Sequence, residues 1–264
     1  MSTTSTICIA CLIYTLEDKP VKDNLYIPIF YLWLSKLIQS GGLTANDMVH
    51  IHIDTRTMAY LENEYTPFPL IIERLPCPYL VYLIPPPKTS LHGMMNKYNS
   101  TEYTQDVYIY CDIDIVIINP ISTMIQGMAP DMLYLCAEGP LTHPNYSNGF
   151  PDDFPISDAM IGFSAGKFAI TGKALRNEFF DSIRKICDYS TSFYTVEQPF
   201  FNRAAYTFGP VDTELLASFV SFNGDYYDIS KTIFHDLAGN PGNGLDHLKR
   251  IVDHLSLYLC GFYS

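Results

Sequence analysis

The sequence is short of basic residues. It has 16 Lys and Arg against 28 Asp and Glu among 264 residues, a formal net charge of -12, and no run of basic side chains. A negative field repels phosphate backbones and anionic lipid head groups, so we expect binding neither to nucleic acid nor to a membrane surface. Any phosphate-bearing ligand must therefore be held by something other than the overall charge.

Long apolar runs are also absent. No stretch approaches the ~20 apolar residues that span a bilayer, and the N-terminal segment has no basic region before its short apolar stretch. We therefore expect a cytoplasmic protein without a membrane span. The seven cysteines are odd in number and scattered, which indicates reduced thiols. Cys8 and Cys11 form a CxxC, but no second CxxC or CxxH completes a zinc site.

The apolar residues, 48% of the chain, are sufficient for the core of one domain. Strands are predicted at Ile7–Thr15, Met48–Ile53, Tyr79–Ile84, Val107–Asn119, Met132–Cys136 and Ala159–Phe163. Helices are predicted at Leu25–Gln39, Lys88–Tyr98, Lys173–Cys187 and Leu245–Leu257. Strand, helix, strand in this order predicts right-handed crossovers and a mixed, mostly parallel α/β sheet flanked by helices. The long polar loop Leu141–Pro155 is typical of a lid or binding loop.

Two carboxylates interrupt the strongest predicted strand. Burying Asp112 and Asp114 among apolar neighbours would cost several kcal/mol each unless a cation pairs with them. In an extended strand the period of two would put both carboxylates on one face, as chelation of a hard divalent cation requires. The motif therefore predicts a metal or catalytic site, the alternative being a strand end whose acids simply face water.

Two enzyme classes carry such a motif on such a strand. In nucleotide-sugar-dependent glycosyltransferases it grips Mn2+ or Mg2+ on the donor diphosphate. In aspartyl-phosphate phosphatases Asp112 would be the nucleophile and Asp114 the general acid, with 224–228 (GDYYD) as the later acidic motif. The phosphatase motif normally lies on the first strand, whereas several elements precede it here. A third possibility is a non-catalytic carbohydrate-binding protein on a transferase scaffold.

A series of short motifs from Ile7 to Lys249 resembles the GT-A glycosyltransferases, in particular the family of glycogenin and bacterial lipopolysaccharide galactosyltransferases. The matching segments are Cys11–Thr15, Lys88–Leu91, Val107–Asn119, Glu197–Asn202 and Phe234–Gly242. The resemblance implies a single GT-A (Rossmann-like) domain, with a nucleotide-binding part at about 1–120 and an acceptor-binding part at about 121–264. It implies a role in glycan biosynthesis, with a UDP-sugar or related donor, a glycan acceptor and retention of configuration.

The resemblance also implies roles for individual residues. Mn2+, or Mg2+, would be bound by Asp112, Asp114 and His235. Gln198 would lie near the anomeric carbon, and Glu197 or Asp158 would act as base if configuration were inverted. Contacts with the donor are expected from Tyr14, Thr15, Lys88, Asp112, Ile113, Gly239, Asn240 and Gly242. Asp54 and Arg56 follow the second strand at the sheet edge where ligands collect, so one of them is expected to touch the base or ribose.

The chain departs from the family pattern in its last motif. The gap from His235 to Gly239 is one residue longer, and no Lys-Pro-Trp follows. The phosphate-binding lysine is therefore missing, and glycine-rich loop amides or Lys249 are expected to take its place. A separate pair, His50 and His52, is interpreted as part of a half-exposed strand rather than as a metal site.

Overall fold

A seven-stranded sheet and a three-stranded sheet form the framework of this computed structural model, which describes residues 5–99, 104–222, 228–237 and 249–253. In chain order the strands are β1 (Ile7–Ile13), β2 (Met48–Asp54), β3 (Tyr79–Ile84), β4 (Val107–Cys111), β5 (Ile115–Ile117), β6 (Leu133–Pro140), β7 (Ile161–Thr171), β8 (Val211–Asp212), β9 (Val220–Phe222) and β10 (Phe234–Asp236). The large sheet has the order β3-β2-β1-β4-β7-β6-β8, and the small one β5-β10-β9.

The large sheet is mixed but mostly parallel. Strands β3, β2, β1 and β4 pair in parallel, β7 runs antiparallel to both β4 and β6, and β8 is parallel to β6. This confirms the predicted sheet type. Because the parallel strands share one direction, the carboxyl ends of β1, β2 and β4 meet at the same edge of the sheet.

Helices cover both faces of the large sheet. They are α1 (Tyr26–Ser40), α2 (Thr55–Asn63), α3 (Pro67–Ile72), α4 (Ser90–Met94), α5 (Ser122–Ile125), α6 (Pro144–Ser147), α7 (Lys173–Ile186) and α8 (Gln198–Thr207), with 3-10 turns at Val21–Asp23, Met95–Tyr98 and Ala217–Phe219. The periodicity placed α1 and α7 within one residue of their observed ends. No helix among the described residues combines the length and apolar character that a membrane crossing needs.

Each face of β1 packs into a different core. Ile9 and Cys11 join a cluster with α1, α2 and α3, whereas Cys8 and Ala10 face a second cluster built with α4, α7 and α8. All seven β1 residues are buried. This explains the unbroken apolar run at the start of the chain, because a strand covered on both sides has no solvent face. Cys8 and Cys11 are free thiols on opposite faces, because an odd spacing along a strand places two side chains on opposite sides.

The predicted single strand Val107–Asn119 is wrong. Strand β4 ends at Cys111, and the chain turns through Asp112, Ile113 and Asp114 before β5 begins in the small sheet. The Asp112 amide donates to Gly166 O at 2.7 Å, and the Ile115 amide donates back to Asp112 O at 3.1 Å. The two carboxylates therefore sit in a turn between two sheets rather than on one face of a strand.

A buried lysine joins the two sheets. Lys167 on β7 lies with its Nζ 2.6 Å from Asp236 Oδ2 on β10 and 2.9 Å from Glu138 Oε1 on β6. Its side chain is 1% exposed, and the two carboxylates offset the cost of removing the ammonium from water. The ion pair fixes the small sheet, and with it the neighbouring His235, against the large one.

The histidine pair on β2 is fully buried, which corrects the expectation of a half-exposed strand. His50 and His52 are both 0% exposed, and their rings lie 4.2 Å apart, tilted against each other. Burial, helped by the charge of Arg176, lowers the pKa of His50 to about 4. Burial and the neighbouring His50 likewise lower the pKa of His52. Both imidazoles are therefore neutral in the folded protein near pH 7.

This burial predicts a loss of stability in acid. In the unfolded chain the His50 imidazole binds a proton below pH ~6.5, whereas in the folded protein it does so only below about pH 4. Lowering the pH from 7 to 5 should thus reduce the free energy of unfolding by about 2 kcal/mol through His50 alone. Urea denaturation at both pH values would show this, with a smaller difference for His50→Gln. The exposed His143, replaced by Asn to keep its helix cap, serves as control, and equal pH dependence in all three proteins would contradict the prediction.

Candidate active site

A cleft of about 770 Å³ opens at the carboxyl ends of β1 and β4. Its walls come from the segment after β1, the start of α1, α4, the turn after β4, β7 and the residues at the N-terminus of α8. A volume of this order suits a ligand of nucleotide size. Among the residues that line it are many of those singled out from the sequence, namely Tyr14, Thr15, Asp112, Ile113, Asp114, Glu197 and Gln198.

Other predicted site residues lie elsewhere. Lys88 and Asp158 are exposed and do not line the cleft, and His235 is buried on β10 with a ring nitrogen 2.7 Å from the Ser221 hydroxyl. The predicted phosphate-binding residues Gly239, Asn240 and Gly242 fall outside the described residues. Their roles, and that of His235 as a ligand, remain predictions.

Asp112 is held firmly in the turn. Its Oδ1 accepts a 2.7 Å hydrogen bond from the Tyr110 hydroxyl, and its Oδ2 lies where a Cβ on Gly166 would come within 2.5 Å. Only glycine at 166 leaves room for this carboxylate. Burial raises the pKa of Asp112 to about 7, Lys97 opposes the shift, and the charges of Asp114 and Glu197 add to it. The raised pKa thus reflects first of all the removal of this carboxylate from water.

Lys97, in the 3-10 turn that follows α4, was not singled out from the sequence. Its side chain is fully buried, with Nζ 2.6 Å from Glu197 Oε1 and 3.9 Å from Asp112 Oδ1. It also donates to Ala165 O at 2.9 Å and lies over the Tyr110 ring, 4.7 Å from its centroid. One ammonium therefore connects the Asp112 turn, β7 and the start of α8. Lys88, which the family motif suggested, occupies no such position.

Gln198 stands beside this cluster. Its Oε1 accepts a 3.2 Å hydrogen bond from the Ala165 amide on β7, and its main chain begins α8 directly after Glu197. Asn202, one turn later, bonds both the amide and the carbonyl of Phe163, at 2.7 and 2.9 Å. The helix start is therefore tied to β7 at two levels, which keeps the Gln198 side chain at the cleft wall.

Asp54 and Arg56 shape the cleft without lining it. The Asp54 carboxylate is 0% exposed, caps α2 through the amides of Arg56 and Thr57, and accepts from the Thr15 amide at 2.8 Å. Arg56 donates to Glu17 O at 2.7 Å and Lys19 O at 2.8 Å. The expectation that one of them touches base or ribose has no support from these positions. They fix the loop after β1 instead.

The charges of the cleft suit a divalent cation. Four carboxylates line it, those of Asp23, Asp112, Asp114 and Glu197, against one ammonium among the described lining residues, that of Lys19, while the buried Lys97 pairs with Glu197. Carboxylate oxygens are the donors that Mn2+ and Mg2+ accept. In the part of the chain that the structure describes, no group of three or more His, Cys, Asp and Glu residues is close enough to hold a metal ion. That Asp112 and Asp114 bind a metal ion therefore stays a prediction.

Comparison with solved structures identifies the fold. The bifunctional glycosyltransferase WbbM matches 98% of this chain with a TM-score of 0.56 and 10% identity, this chain spanning 52% of WbbM. An active-site mutant of LgtC matches 94% of this chain, and 95% of its own, with a TM-score of 0.55 and 12% identity. No family model matches the chain, and no curated protein matches it in sequence.

Sheet order and these likenesses together define a GT-A glycosyltransferase fold. In such an open α/β sheet, ligands bind beyond the carboxyl ends of the parallel strands. The cleft occupies that place, and the paired aspartates follow β4 into it. Fold and cleft thus agree on where a ligand would bind.

Removing the buried ammonium should destabilise the protein. Lys97→Met leaves Glu197 and Asp112 without their shared cation, and breaking a buried pair from one side costs about 3–5 kcal/mol. The exposed Lys88→Met is the matched control, for which we expect a change within about 0.5 kcal/mol. Chemical denaturation measures both. Equal stability of the two variants would show that Lys97 does not hold the cluster.

Proposed function

We propose that the protein is a metal-dependent glycosyltransferase that moves a sugar from a nucleotide-sugar, most simply a UDP-sugar, to a hydroxyl of a glycan. The observation that carries the proposal is the Asp112–Asp114 turn, which faces a nucleotide-sized cleft at the carboxyl edge of a GT-A sheet. The glycosyltransferase likenesses support the class, and the family of glycogenin and lipopolysaccharide galactosyltransferases supplies the finer expectation.

Asp112 and Asp114 would hold Mn2+ or Mg2+, with His235 as the further ligand that the resemblance implies. When bound, such an ion supplies Lewis-acid stabilisation of the charge that develops on the departing diphosphate. The protein's part is to present two carboxylates in a fixed turn. Tyr110 and Gly166 do this for Asp112, the first by a hydrogen bond and the second by leaving space.

The loop after β1 would hold the nucleoside part. Tyr14 donates its hydroxyl to Ser90 O at 3.3 Å, and a Cβ on Gly93 would meet the Tyr14 ring at 2.4 Å, so the ring is confined. Asn24 donates to Tyr14 O and to the Thr15 hydroxyl. Because this wall is already ordered, it loses little conformational entropy when a ligand binds.

Retention of configuration fits the cleft better than inversion. An inverting enzyme needs a base at the acceptor hydroxyl. Glu197 is already paired with Lys97 at 2.6 Å, so taking up a proton would break a buried ion pair, and Asp158 does not line the cleft. Gln198, which does, is an amide that can bind substrate but cannot act as a base.

The proposal predicts metal-dependent donor binding. In calorimetry with a panel of UDP- and GDP-sugars, at least one donor should bind about tenfold or more tightly with Mn2+ than with EDTA, because the cation reverses the sign of the acidic site. Asp114→Ala should abolish the Mn2+ effect. The exposed loop acid Asp153, replaced by Ala, is the control and should leave donor affinity unchanged.

Two results would overturn the proposal. One is the absence of binding to every donor, with folded protein shown by an unchanged circular dichroism spectrum. The other is Mg2+-dependent release of phosphate from a generic phosphomonoester that is lost in Asp112→Asn, which would assign the aspartates to a phosphatase. Donor binding without transfer to any glycan acceptor would indicate a carbohydrate-binding protein on a transferase scaffold.

A further inference from the structure

Val196 adopts a backbone conformation that valine rarely takes. Its φ of 53° lies in the left-handed region, where the described residues include just one other non-glycine, Asp131. Aspartate tolerates this region, because its short polar side chain can hydrogen-bond to the neighbouring backbone. A β-branched side chain crowds the backbone there, so Val196 is strained. Glycine would adopt the same φ without strain.

Two overlapping turns hold Val196 in this conformation. Its amide donates to Phe193 O at 3.1 Å, and the amide of Gln198 donates to Thr195 O at 3.0 Å. The Thr195 hydroxyl donates in turn to Asn145 O at 2.7 Å, which ties the turns to α6. A strained residue persists only where its surroundings fix it, and these contacts do so.

Val196 borders both the protein interior and the cleft. It is half-buried, packs against the core that β1 forms with α4, α7 and α8, and lines the cleft. Thr195, Glu197 and Gln198 line the same wall. Val196 therefore adds an apolar side chain to a wall that its neighbours make polar.

The valine side chain is not needed for the turns themselves. Both turns are closed by main-chain hydrogen bonds, which a glycine at position 196 would also make. The two methyl groups make the turn less favourable, and in return they supply apolar surface to the core and to the cleft. Packing against this core does not require a strained residue, since Val211 on β8 packs against it as well. The surface that Val196 gives to the cleft sets it apart.

We propose that Val196 contacts the sugar of the donor and helps to determine which sugar is accepted, an inference that rests on the proposed function. In that function the loop after β1 holds the nucleoside and the aspartate turn holds the cation and the diphosphate. The wall that carries Val196 is then left for the sugar. A sugar ring has C–H groups between its hydroxyls, and burying them against methyl groups is favourable.

The rigidity of Val196 is what makes the contact selective. Its backbone is fixed by the two turns, and branching at Cβ restricts rotation of the side chain. The methyl groups therefore cannot move aside for a bulkier sugar substituent, nor can they hydrogen-bond to a hydroxyl placed against them. Discrimination of this kind works by rejecting the wrong ligand as much as by attracting the right one.

The test compares a sugar nucleotide with its nucleoside diphosphate, by calorimetry in the presence of Mn2+. The sugar nucleotide is the one that the wild type binds most tightly in the donor panel, and the diphosphate is UDP or GDP accordingly. Val196→Gly and Val196→Ala should each lower the affinity for the sugar nucleotide by about tenfold, the lower end of the effect of a lost apolar contact in a substrate pocket. Both should leave the affinity for the nucleoside diphosphate unchanged.

Urea denaturation separates the contact with the sugar from strain and packing. Val196→Gly should unfold at a urea concentration no lower than Val196→Ala does, because only glycine relieves the strain at this φ. Val211→Gly is the matched control, since Val211 is half-buried and packs against the same core but does not line the cleft. This control should unfold at a lower urea concentration than the wild type and bind both ligands as the wild type does.

Failure of this inference is distinguishable from failure of the proposed function. If folded wild-type protein binds no sugar nucleotide and no nucleoside diphosphate, the proposed function fails. If the wild type binds a sugar nucleotide and both Val196 variants bind it equally well, only the role of Val196 is overturned. An equal loss of affinity for both ligands would also overturn it, since it would show a distorted cleft. A similar loss of sugar-nucleotide affinity in Val211→Gly would overturn it too, because the effect would then come from the core.

Discussion

The candidate site is organised around one buried ammonium, that of Lys97. It lies between the carboxylates of Glu197 and Asp112 and also holds the carbonyl of Ala165. Three elements distant in the chain, the turn after β4, strand β7 and the start of α8, therefore converge on a single charge. Burying that charge alone would be prohibitive, and burying the carboxylates alone would be equally so. Each charge therefore offsets the cost of burying the other.

Around this centre, several polar residues hold the segments that form the walls of the cleft. Asp54 caps α2 and holds the Thr15 amide, Arg56 holds two carbonyls of the following loop, and Lys167 ties the small sheet to the large one through Asp236. None of these needs to touch a ligand to matter. They keep the walls of the cleft in place while the residues that face it remain available, a division of labour typical of preorganised sites.

The sequence predicted the elements whose burial follows a simple period. Strand β3 and helix α1 are marked by apolar runs and stop signals, and both lie within one residue of their predicted bounds. Prediction from the sequence failed where the local structure depends on contacts with distant parts of the chain. The apolar run from Val107 to Asn119 hides a turn, because the hydrogen bond from the Asp112 amide to Gly166 O depends on β7. Lys97 likewise gives no local signal, since its burial requires Glu197, far away in sequence.

The negative charge of the whole chain and the negative charge of the cleft both act against the binding of a free anion. A net charge of -12 repels a free diphosphate, and the four carboxylates that line the cleft outnumber the ammonium of Lys19 there and repel it further. Lys97 does not neutralise this charge for a ligand, because its buried ammonium is already paired with Glu197 and Asp112. The charge of the cleft therefore disfavours the binding of a bare anion. Under the proposed function, a divalent ion would offset this charge and so allow a diphosphate to bind.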